Sequence, residues 1–183
     1  MGKDGKMHSG SQATIWRWRD AYQGDFAARM QWTLGKPFQD TNHAPIIILN
    51  GDSSLEPIHI KTDFGSTVHL DASQSWDPDD KDTLQFRWLH YGEPSATQWT
   101  TSYQVPRLEF KDESEGKRHL EKVSIKIPAE EEGLTFPLHP DQVRKWGPQT
   151  YHLILEVIDD AEFPMRMYKR ILVHVSSGSA RLI

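Results

Sequence analysis

Tyr151 to Val175 reads YHLILEVIDDAEFPMRMYKRILVHV, and this stretch decides the fold. In its first limb Leu153, Leu155 and Val157 fall at every second position, and in its last limb Ile171, Val173 and Val175 do the same. A period of 2 lines one face of an extended chain with apolar side chains. The Asp159-Asp160 pair between the limbs is a turn signal. Two strands follow, Tyr151–Ile158 and Met167–Val175, joined by an acidic turn.

Working upstream, the same period recurs. Strand candidates are Ile46–Leu49, Ile58–Lys61, Thr67–Asp71, Leu84–Tyr91, Val105–Phe110 and Lys122–Ile127. Val68 with Leu70, and Val123 with Ile125 and Ile127, each form one apolar row. Turn chemistry separates the strands at Asn50-Gly51-Asp52, Phe64-Gly65-Ser66, Asp77-Pro78-Asp79-Asp80, Asp112–Gly116 and Asp159-Asp160. Seven or eight short strands over roughly 130 residues predict a mainly β, immunoglobulin-like antiparallel sandwich. A parallel α/β sheet would need helices between the strands, and none is offered after Pro45. Trp88 alternates with Leu84 and Phe86 and belongs to the expected core. The long connection from Pro128 to Thr150 is of a length that usually carries function or motion.

Before Pro45 the period changes to 3.6. Trp18, Tyr22, Phe26 and Met30 recur at i+4, with Ile15, Ala27 and Leu34 on adjacent rows. One amphipathic helix is expected over 12–34, capped by Ser11 or Thr14 and stopped by Gly35 and Pro37. A long aromatic-rich helix seldom stands alone. It docks either on the downstream sandwich or on something upstream of Met1, and the upstream partner is the expectation. Trp16, Trp18, Tyr22, Phe26 and Met30 are its docking candidates. The segments are therefore a polar N-terminus over 1–11, the helix over 12–34, a linker over 35–45, the sandwich over 46–176 and a tail over 177–183.

Composition excludes several classes. Lys+Arg total 21 and Asp+Glu 26, a formal net charge of −5, so nothing draws the chain generally to nucleic acid or anionic lipid. There is no cysteine, which removes disulfides, zinc thiolates and cysteine nucleophiles together. Hydrophobic residues make up only 37%, but seven Trp, seven Phe and five Tyr supply large burial. No apolar run reaches the ~20 residues that span a bilayer. Met1–Lys6 lacks the apolar segment of a signal peptide. The expectation is a chain outside the membrane, with its compartment open.

Candidate chemistry is sparse. Nine histidines are scattered without the His-x-x-x-His spacing of a metal site, and no nucleophile elbow, Walker loop or dinucleotide fingerprint is present. The acidic turn Asp77, Asp79, Asp80 and Asp82 has hard oxygen ligands suited to calcium. It lacks the EF-hand glycine and closing glutamate, and the alternative is an inter-strand turn whose carboxylates accept from nearby backbone N–H groups. Asp159 and Asp160 are candidates to lie beside it. Trp76, Tyr91, Trp99, Tyr103 and Trp146 fall near turns or in irregular segments. Exposed, they would stack on pyranose rings of a polysaccharide; otherwise they pack under loops or against a neighbouring domain.

Two resemblances emerge. Val68–Asp80 followed by Leu84–Trp88 resembles the B strand, turn and C strand of polycystic-kidney-disease (PKD) type immunoglobulin-like domains, and Tyr151–Asp160 with Met167–Val175 resembles their last two strands. Thr14–Trp32 resembles the closing helix of the nucleoside-hydrolase-like domain in a cellulose-binding protein family of fungi and bacteria. In that family the helix is followed by Asn-His-x-Pro, here Asn42-His43-Ala44-Pro45. Ser75–Asp79 and Tyr91–Ser95 continue the match, which covers Gln12 to Val175. It implies a C-terminal accessory module whose hydrolase-like domain belongs upstream in cis, so a truncated gene is one expectation. It implies no catalytic residue on this chain, association with cellulose, and a parent that acts outside the cell. The acidic turn is not the aspartate-rich pocket of nucleoside hydrolases, because that pocket ends the first strand of a parallel sheet.

Overall fold

The computed structural model describes residues 8–79, 81–96, 105–116, 118–129 and 149–176. Asp80, Trp99, Tyr103, Trp146, the tail and most of the 128–150 connection lie outside them. The elements are α1 (Ala13–Trp16), α2 (Arg19–Trp32), β1 (Ile58–Asp63), β2 (Thr67–Asp71), β3 (Gln85–His90), the short α3 (Gly92–Ser95), β4 (Phe110–Asp112), β5 (Lys122–Lys126), β6 (Gln149–Ile158) and β7 (Arg166–Ser176).

Two sheets form, one ordered β1-β7-β6-β3 and the other β2-β5-β4. The long β6–β7 hairpin is the spine, running from Gln149 opposite Val175 to Ile158 opposite Arg166. Its apolar rows turn inward as the alternation requires. Leu153, Leu155, Val157, Ile171 and Val173 are fully buried and meet Val68, Leu70, Val123 and Ile125 of the other sheet in one core. Trp88 packs at the rim of that core, and its Nε1 donates to the Leu120 carbonyl at 2.9 Å.

The structure departs from the sequence reading at four places. β1 runs parallel to β7, with Ile58 opposite Ile171, whereas the other four strand pairs among the described residues are antiparallel. The two strands stand at opposite ends of the sandwich sequence, so no tight turn imposes an antiparallel return. Ile46–Leu49 forms two isolated bridges, Ile46 to Trp76 and Leu49 to Asp52, and no strand. The second of these closes Asn50-Gly51, whose φ values of 51° and 81° make the two-residue turn expected there. Val105–Phe110 contributes only Phe110 to a strand; Val105 and Leu108 are buried without pairing.

The fourth departure is the helix. It breaks at Arg17-Trp18, where the Trp18 N–H reaches the Ile15 carbonyl and Trp18 leaves helical geometry with ψ 7°. Neither Gly nor Pro causes the break. Trp18 turns down to sit edge-on against Tyr168 at 5.3 Å and Tyr91 at 6.5 Å. No side chain caps either helix start. Among the described residues no helix is long and apolar enough to cross a membrane.

Candidate functional site: the junction of helix, linker and acidic turns

α2 crosses the end of the β6–β7 hairpin. Ala28 is buried there, and a Cβ built on Gly24 would fall 2.5 Å from the Pro164 carbonyl oxygen, so the helix seats directly on backbone. The contact is closed by polar bonds. Arg166 Nη1 donates to the Asp20 carbonyl at 3.0 Å, and Arg17 pairs with Glu93 at 2.5 Å while lying over the Tyr91 ring. Past the helix, Trp32 Nε1 donates to the Asn42 carbonyl at 2.8 Å and folds the linker back.

The linker is then clamped between two acidic turns. Asn42 Nδ2 donates to Asp159 Oδ2 at 3.1 Å and to the Phe163 carbonyl at 2.9 Å. The His43 backbone N–H donates to Asp79 Oδ2 at 2.6 Å, and its ring Nδ1 lies 2.9 Å from Asp79 Oδ1. That ring is stacked between Phe38, at 3.7 Å, and Trp32, at 5.6 Å. Asp79 N–H in turn donates to Asp77 Oδ1 at 2.9 Å, and Thr83 N–H to Asp160 Oδ1 at 2.7 Å. The two turns are thus neighbours, and Asn42-His43 is the peg between them.

This leaves carboxylates crowded. Asp77, Asp79 and Asp82 offer oxygens that lie within 4.8 Å of one another. Burial, with the charges of Asp159, Asp79 and Asp82 behind it, pushes the Asp77 carboxyl up to about 6. Burial also raises Asp82 and Asp159, the latter against donors from Asn42, Met165 and Ala161. Asp77 Oδ2 and Asn42 Oδ1 are buried with no hydrogen-bond partner among the described residues. The donor set is all hard oxygen, which suits calcium rather than a transition metal. The same carboxylates also serve as acceptors for turn and linker N–H groups.

A cleft of about 580 Å³ opens beside this clamp, walled by the end of α2, the linker and both turns. It was not foreseen, because its walls come from three distant segments.

The remaining candidates scatter. Trp76 is 50% exposed on its turn. Tyr91 faces the helix, between Trp18 and Arg17, and is no open platform. The expected docking set divides. Trp18 is turned onto this chain's own sandwich, whereas Trp16 (61%), Tyr22 (48%), Phe26 (66%) and Met30 (47%) are exposed. Asn42 and His43 were legible only as a motif, without a role.

Fold and junction together define an immunoglobulin-like sandwich with a helix docked across one end. Residues 67–175 match the family described as the cellulose-binding protein Sde0182, C-terminal domain, and the chain belongs to that family. A solved nucleoside hydrolase-related hypothetical protein from Saccharophagus degradans, described as associated with carbohydrate metabolism, is similar at 27% identity and a TM-score of 0.67. The similarity covers 87% of this chain and 32% of that one, so this chain spans about a third of that relative. No curated protein matches.

Proposed function

We propose that this chain is a non-catalytic accessory module of a cellulose-binding, nucleoside hydrolase-related protein. In this reading the sandwich engages polysaccharide, and α2 fastens it to a hydrolase-like domain in cis. The two-faced helix carries the proposal. One face of α2 is occupied by the sandwich through Gly24 and Ala28, with Trp18 seated just before the helix start, while Tyr22, Phe26 and Met30 on the other remain in water. A contiguous row of large apolar side chains at helical spacing is a docking surface. The Saccharophagus degradans relative supports the choice of occupant, since about two thirds of its chain has no counterpart here.

The test mixes this chain with the remaining portion of that relative and follows complex formation by sedimentation velocity. A 1:1 complex is expected, lost on Tyr22→Ser with Phe26→Ser while the variant keeps its melting temperature. Self-association of the chain without a mixed complex would overturn the docking role in favour of a plain interaction module. Release of free sugar from nucleosides by this chain alone would overturn the non-catalytic role and favour an N-glycosyl hydrolase. Failure to sediment with microcrystalline cellulose would remove the polysaccharide role.

A further inference from the structure

The cleft at the junction lies within the ~300–1,000 Å³ range of small-ligand sites. Its lining is lopsided. Asp40, Asp79, Asp82 and Glu162 face Lys36 and Lys81. Lys36 Nζ is already engaged by Gln31 Oε1 at 3.1 Å, and Asp79 is held by His43. What remains is a surplus of carboxylate acceptors. Such a wall repels anions and is satisfied by a neutral ligand that brings many O–H donors.

One wall is aromatic. Phe38 is 57% exposed and lines the cleft, and its ring is stacked on His43, which is backed in turn by Trp32. The stack and the His43–Asp79 bonds hold the platform in place before any ligand arrives. The negative face of an aromatic ring attracts the C–H face of a pyranose, and the flat exposed ring matches that apolar face in shape.

We infer that this cleft is a binding subsite for a neutral saccharide chain, with Phe38 as the stacking platform and Asp40, Asp82 and Glu162 as acceptors for ring hydroxyls. The inference rests on the polysaccharide side of the function proposed above and gives it a place, away from Trp76.

Isothermal titration of the whole chain with cellohexaose tests it, with hexagalacturonate and calcium chloride as parallel probes. Cellohexaose is expected to bind and hexagalacturonate not to. Phe38→Ala should weaken binding about tenfold, which corresponds to ~1.4 kcal/mol of lost stacking. Phe38→Tyr should restore it, Glu162→Gln should weaken it severalfold, and Trp76→Ala should leave it unchanged. Binding that survives Phe38→Ala but fails in Trp76→Ala would overturn the cleft and keep the polysaccharide role. Absence of saccharide binding in the folded parent chain would overturn both. A response to calcium chloride that Phe38→Ala leaves intact, with none to cellohexaose, would reassign the cleft to a cation.

Discussion

The inter-sheet core and the junction beneath α2 are built from opposite materials. Between the sheets almost every inward position is aliphatic, and polar intruders are few. Lys169 is buried with its Nζ on the Ser54 carbonyl at 2.5 Å, and Tyr151 is buried with its ring edge-on to His90 at 5.7 Å and its hydroxyl without a hydrogen-bond partner among the described residues. At the junction the opposing groups are Asp77, Asp79, Asp82, Asp159, Asn42 and His43, and the closing contacts are hydrogen bonds to carboxylates. Burial of area stabilises the core and is indifferent to pH. The junction depends on where charge is compensated, so its stability follows pH near neutrality.

The largest effect should come from the core. Leu155→Ala opens a cavity at a fully buried position of the spine and should cost about 3–4 kcal/mol, read from denaturant unfolding. A loss below ~1 kcal/mol would mean the sheets collapse onto the gap and would dissolve the contrast with the junction.

Gly24→Ala attacks the seat of α2, where the added Cβ meets the Pro164 carbonyl. It should cost about 1–3 kcal/mol and expose Trp18, seen as a red-shifted tryptophan emission, while the core transition persists. An unchanged emission would show that the helix shifts without undocking.

Asp77→Asn addresses the uncompensated charge. Because folding raises this carboxyl to about 6, the native state holds more protons than the unfolded one across the window from about 4 to about 6. Its contribution is full below the usual aspartate value and is lost as pH rises through about 6. The substitution should therefore stabilise the protein at pH 7 by roughly 1 kcal/mol after allowance for solvent screening, and do little at pH 4. His90 works in the other direction. Burial first, then the charge of Arg107, lowers it to about 4, so its contribution is present above the ordinary histidine value and lost as pH falls towards 4. Melting curves of both proteins from pH 4 to 8 separate the two. If calcium binds the cluster, millimolar calcium chloride should raise the parent's melting temperature at pH 7, and Asp77→Asn should abolish that rise.

The smallest effect is expected at Phe26→Ser, on the exposed face of α2. Stability should stay within about 0.5 kcal/mol of the parent, because the side chain is 66% exposed. A larger loss would place Phe26 in this chain's own packing and remove the distinction between the helix faces.

Much of the sandwich was legible from particular residues. Leu153, Leu155, Val157, Ile171, Val173 and Val175 face the core as their alternation requires, and Asn50-Gly51 makes its turn. The helix ends by Gly35, whose φ is 70°. The junction was legible only in part. The acidic turn stood out as a cluster, and Asp159 and Asp160 were named as candidates to join it. The parts played by Asn42 and His43 were not visible, because their partners lie 117 and 36 residues away. Likewise Trp18 shares an i+4 row with Tyr22, and periodicity alone does not separate a residue facing the sandwich from one facing water.

By itself the sequence determined the strand rows, the turn chemistry, the amphipathic helix and the family, since all of these follow from local period and ordered motifs. Only the tertiary structure decided that β1 pairs parallel with β7, that Ile46–Leu49 and most of Val105–Phe110 stay out of the sheets, and that the helix breaks to seat Trp18. It alone brought linker and acidic turns around one cleft. The physical reason is range. A backbone period is set by the next few residues, whereas pairing direction, desolvated charge and the walls of a cavity are set by whichever distant segments the folded chain brings together.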